Sequence, residues 1–97
     1  RPVLRALADH DRKKGTAYCE TLYFYLTCSR SLKRTCDALF THRNTVLYRI
    51  GKMREDFEVP LDDPANHTEL LLGVAILLFR DRGPLFFLRE SPKEAVE

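Results

Sequence analysis

No strand-like alternation, no internal repeat and no membrane-length apolar run occur in these 97 residues. The longest apolar stretch, residues 70–79, is about half of the ~20 residues that a membrane span requires, so it reads as a buried helix. Three cysteines, Cys19, Cys28 and Cys36, are odd in number and too widely spaced for a zinc clip. Each is expected to act as a small apolar core residue, and a reducing cytoplasm is the expected compartment. His10, His42 and His67 share no metal-ligand spacing, so neither a metal nor another cofactor is expected. A phosphate-binding Gly-rich loop, a Gly-x-Ser-x-Gly elbow and paired catalytic carboxylates are all missing, which argues against an enzyme. The sequence begins at Arg1 without a Met or a charged-then-apolar leader, and is expected to be a piece of a longer polypeptide.

What is present is an ordinary globular composition, 44% hydrophobic and 31% charged, of a length suited to one domain. The net charge of +2 is unevenly spread. Residues 30–56 hold Arg30, Lys33, Arg34, Arg43, Arg49, Lys52 and Arg54 against Asp37, Glu55 and Asp56, a local excess of +4, so the rest of the chain sums to −2. A basic patch on a near-neutral body is the footprint of a phosphate-backbone binder.

The expected fold is all-α, about five helices with a helix-turn-helix. Pro2 opens the first helix, with Val3, Leu4, Leu7 and Ala8 at helical spacing and Gly15 as its stop. Thr16 is the expected cap of the second, whose stripe is Tyr18, Leu22, Tyr25 and Leu26. Ser31 caps a short third helix that turns Leu32, Thr35, Cys36 and Leu39 to one side. Thr41 is the expected cap of a fourth, running to about residue 57 with Val46, Ile50, Met53 and Phe57 inward. After a connector broken by Pro60, the Asp63-Pro64 pair starts a helix of residues 64–80, apolar nearly all round and so expected at the centre of the fold. Gly73 within it costs up to ~1 kcal/mol relative to Ala, offset if another helix packs closely there. Residues 1–82 are expected to form the domain and 83–97 a tail. Within that tail, 85–88 reads as packed or as a short strand, and 91–97 as frayed.

The short helix 31–40 followed at once by 41–57 has the layout of a helix-turn-helix, whose second helix enters the major groove. At 100° per residue, with the apolar stripe inward, the opposite face of that helix carries Asn44, Tyr48, Gly51 and Glu55. Asn44 can pair with an adenine edge, Thr45 can meet a base or a thymine methyl, and Arg43 can reach guanine or a phosphate. Arg43, Asn44, Thr45 and Tyr48 are therefore the expected base-reading or orienting residues. Lys33, Arg34, His42, Arg49 and Lys52 are the expected phosphate contacts. The recognition helix is placed at 41–55. The competing reading is a helical protein-interaction or dimerisation module with an incidental basic face, supported by Leu47 and residues 85–88.

The run Ser31-Leu32-Lys33-Arg34-Thr35-Cys36-Asp37-Ala38-Leu39-Phe40, followed by His42-Arg43-Asn44-Thr45-Val46-Leu47-Tyr48-Arg49-Ile50, resembles the C-terminal helix-turn-helix of PucR/CdaR-type bacterial regulators. The resemblance extends to His10-Asp11-Arg12, Gly15-Thr16, Glu20-Thr21-Leu22 and Leu61-Asp62-Asp63-Pro64. It implies a double-stranded-DNA-binding domain of a longer transcription regulator whose sensory region is missing from this chain. One such domain covers one half-site, so a homo-oligomer is expected in the full-length protein. The chain departs from the family pattern at Leu47 and Gly51, where basic or polar residues are usual, and both departures remove potential phosphate contacts.

Overall fold

The computed structural model describes residues 2–88; Arg1 and the expected frayed stretch 91–97 lie outside the described residues. Five α-helices follow one another, with no strand among the described residues: α1 (Pro2–Lys14), α2 (Tyr18–Thr27), α3 (Leu32–Leu39), α4 (Arg43–Glu55) and α5 (His67–Arg82). A 3-10 turn at Pro64–Asn66 leads into α5, and a second 3-10 segment, Pro84–Leu88, follows it. The 85–88 stretch is thus a 3-10 turn, not a strand, packed through Phe86 and Phe87 with Leu85 and Leu88 left exposed. Phe86 is its buried anchor, against Tyr23 and Phe24 of α2.

The centre of the domain is α2, which packs against all four other helices. Its Leu22 and Leu26 are sealed among Leu4, Leu7, Val46, Met53, Leu70 and Val74. The apolar 70–79 run was the expected centre, but α5 packs chiefly on α1, α2 and its flanking 3-10 segments. It buries Leu70, Val74 and Leu78 and leaves Leu72, Ile76 and Phe79 more than half exposed. An all-round apolar helix is also what results when one face goes inward and another is left for a partner.

Helix ends divide into locally and distantly capped ones. Ser31 accepts from the Arg34 amide and starts α3 as expected, and Asp63 accepts from the Ala65 amide at the 3-10 entry to α5. Thr16 does not cap α2. That role falls to Asp11 in the last turns of α1, whose carboxylate accepts from the Tyr18 and Cys19 amides at 2.8 and 2.9 Å and from the Thr16 hydroxyl. Gly15, in the left-handed region at φ 68°, turns the chain so that α1 can reach the start of α2.

The connector after α4 contributes to the core: Val59 and Leu61 are buried on either side of Pro60. The Arg30 guanidinium holds it in place, donating through Nε to the Leu61 carbonyl at 2.8 Å.

Gly73 is the point where α1 and α5 touch. A Cβ there would come within 2.5 Å of Leu4 Cδ1, on a side chain only 1% exposed. Ala at this position gains up to ~1 kcal/mol of helix propensity but overpacks the contact, at ~1–3 kcal/mol. Gly73→Ala is therefore expected to destabilise by about 1 kcal/mol in urea unfolding. At Gly51 a Cβ meets nothing within 4 Å, so Gly51→Ala is expected to stabilise by about 0.5–1 kcal/mol.

Candidate nucleic-acid interface

Between α3 and α4 lies a three-residue turn, Phe40 to His42. Phe40 is left-handed at φ 52°, and the bonds from Phe40 N–H to Asp37 O and from Thr41 N–H to Cys36 O close α3 in a Schellman turn. That explains why Thr41, the expected cap of α4, is not one. Its amide belongs to the end of α3, and its hydroxyl donates to the Leu39 carbonyl at 2.9 Å. His42 takes the role one residue later, its Nδ1 accepting from the Asn44 amide at 3.0 Å. With Nδ1 accepting, the ring proton sits on Nε2 of a residue that is exposed at the positive end of the helix.

Val46, Ile50 and Met53, all nearly sealed from solvent, fasten α4 to the body as expected. The helix stops at Glu55, two residues short of the expected end. Phe57 follows it in a turn, edge-on to His10 and Tyr18 at ring distances of 5.4 and 5.7 Å. Anchored along that seam, α4 leaves Arg43, Asn44, Thr45 and Tyr48 exposed, Tyr48 at 61%. These are the four expected reading residues, and the fold brings them together on the first two turns.

The basic residues are engaged unequally. Lys33 and Lys52 each pair with an aspartate one turn on, Asp37 and Asp56, at 3.1 Å. Lys52 also lies over the Tyr48 ring, 5.6 Å from its centroid, and its hydrogen bond to Asp56 pushes its pKa up. Such exposed pairs are worth little and exchange readily for a phosphate. Arg34 and Arg43 have no ion-pair partner among the described residues.

Arg49 and Arg54 have partners on other elements. Arg49, expected at a phosphate, is half-buried against α2 and donates through Nη1 to Thr21 Oγ1 at 3.2 Å. Arg54 grips Asp62 with two bonds of 2.8 and 3.0 Å, which hold the Asp62 carboxyl below the usual carboxylate range. Being depressed in the folded state, this group adds stability above the ordinary carboxylate range, and the gain is lost as pH falls through its lowered pKa. The pair is exposed, so that gain is small.

No spacing signal marked the distant partners of Arg30, Arg49 and Arg54, because each is supplied by another element. Beside Arg43 on the outer flank of α4, Leu47 is left 43% exposed. Among the described residues no group of His, Cys, Asp and Glu is arranged to hold a metal ion, and no helix is long and apolar enough to cross a membrane. Burial pushes the Cys19 thiol up to about 12, and the neighbouring Asp11 charge adds to the effect.

Comparison with known proteins places this geometry. The family model described as the PucR C-terminal helix-turn-helix domain matches residues 18–76, from the start of α2 into α5. The purine catabolism regulatory protein of Bacillus subtilis (strain 168) is 32% identical over 72 residues, 74% of this chain and 13% of that protein. The proline-responsive transcriptional activator PutR of the same organism is 30% identical over 74 residues, 76% of this chain and 18% of that protein. The chain thus spans less than a fifth of the length of either relative. No solved structure matches it.

Proposed function

We propose that this chain, which belongs to the family of PucR C-terminal helix-turn-helix domains, binds duplex DNA with α4 in the major groove. It would do so as the DNA-binding part of a longer bacterial transcription regulator in the cytoplasm. The matched region is a regulator domain, not an enzyme domain.

One observation carries the reading. A helix tied down by Val46, Ile50 and Met53 presents Arg43, Asn44, Thr45 and Tyr48, exposed and clustered, at its N-terminal end. In a helix-turn-helix that end meets the base edges. Asn44 suits adenine, Arg43 guanine or phosphate, and Thr45 a base or thymine methyl, with Tyr48 orienting the helix. Lys33, Arg34 and Lys52 supply backbone contacts, joined by the Nε2–H of His42 and by the guanidinium N–H groups of Arg49 not bonded to Thr21.

Fluorescence anisotropy with duplex from the upstream region of the protein's own gene, and with a scrambled duplex, tests this at two salt concentrations. Four cationic phosphate contacts, Lys33, Arg34, Arg49 and Lys52, predict a log–log salt slope of roughly −3.6. If Arg49 stays on Thr21, three contacts give about −2.7. No binding to either duplex at low salt, by a chain shown to be folded, would overturn the DNA reading in favour of a protein-interaction module.

A further inference from the structure

The largest apolar surface left open lies away from the recognition helix. On α5, Leu72, Ile76 and Phe79 are each more than half exposed, and Leu85 and Leu88 of the following 3-10 segment are about three-quarters exposed. The two elements are continuous: the Phe79 ring stacks on Phe87 at 6.3 Å. Exposed apolar patches of this kind mark interaction surfaces.

The charges around the patch indicate its occupant. Glu69 and Arg80 stand exposed at its two ends. They are eleven residues apart, which puts them on one helix face within about 20° and separates them by roughly 16 Å. Leu72, Ile76 and Phe79 fall between them on that face. If two such helices are laid antiparallel about a two-fold axis, Glu69 of each meets Arg80 of the other, with the apolar residues interleaved. The macrodipoles are also favourably opposed in that arrangement. A surface that is its own complement under a two-fold rotation is the mark of an isologous contact.

We propose that the α5 face is the interface through which two copies of this chain pair antiparallel. Neither α3 nor α4 packs substantially on α5; both make their main contacts with α2 and with each other. Pairing through α5 therefore leaves both recognition helices open. The dimer matters to function only if the DNA reading holds, since it then supplies the second half-site. Its formation does not require DNA, so the two readings fail separately.

Sedimentation velocity of the 97-residue chain across the micromolar range, without DNA, is the test. The expected result is a reversible monomer–dimer equilibrium, weakened at least about tenfold by Ile76→Glu with helicity unchanged, because a carboxylate is then buried unpaired. Glu69→Arg and Arg80→Glu are each expected to weaken pairing several-fold. An equimolar mixture of the two single variants is expected to associate like the unsubstituted chain, because opposite charges then face each other at both ends. A chain that stays monomeric throughout, or a dimer indifferent to Ile76→Glu, would overturn the interface. A dimer that responds to Ile76→Glu but not to the charge exchange would overturn the antiparallel pairing.

Discussion

Replacing Arg43 and Asn44 together by alanine is expected to remove the preference of this domain for its own upstream duplex while leaving it folded. Both side chains are exposed on the first turn of α4, so the loss is one of recognition and not of stability. A bidentate contact to the right base is worth ~1–3 kcal/mol, so Asn44→Ala alone is expected to weaken the cognate duplex by roughly 5- to 150-fold. Its effect should vanish when the adenine it reads is replaced. Lys52→Ala is the contrast: its ammonium leans on Asp56 and Tyr48 and would reach only the backbone. It is expected to weaken all duplexes alike and to reduce the salt slope by about 1. Equal effects of both changes on every sequence, measured by anisotropy on single-position operator variants, would refute base reading by Asn44.

The largest expected effect on stability comes from Asp11→Ala. Ala17, at the N-cap position of α2, has no side-chain acceptor, so the Tyr18 and Cys19 amides depend on the Asp11 carboxylate. The Thr16 hydroxyl donates to the same carboxylate. Removal strands two amides at the entrance to the central helix and takes a negative charge from its positive end. Loss of a cap costs about 1 kcal/mol and a second lost charge-assisted bond a similar amount, for a total near 2 kcal/mol. In a domain of this size that lowers Tm by roughly 8–16 °C. Asp11→Asn keeps an acceptor oxygen and is expected to fall between. A loss below about 0.5 kcal/mol in urea unfolding would show that solvent serves those amides equally well.

Residues 10–22 carry part of the family resemblance, and the structure gives them a mechanical reason. The Asp11 carboxylate, the Gly15 turn and the Thr16 hydroxyl join α1 to α2, and the buried Thr21 hydroxyl receives Arg49 from α4. These residues hold the platform on which α4 lies. They are not themselves on the exposed face of α4.

Local order was legible in the residues. Helix periodicity, the Ser31 and Asp63 caps and the inward set Val46, Ile50 and Met53 all depend on neighbours within a turn or so along the chain, so the helix-turn-helix and the face it presents follow from the sequence. The tertiary structure decided everything that depends on distant partners. Arg30 meets Leu61 across 31 positions and Arg49 meets Thr21 across 28, which takes two arginines partly out of the basic patch. Asp11 caps a helix that is not its own, and Val59 and Leu61 enter the core from a connector. The short helix α2 occupies the centre, and the more apolar α5 keeps one face open. Spacing along a chain records which side chains share a helix face. Which faces then meet is set by the packing of all five helices at once.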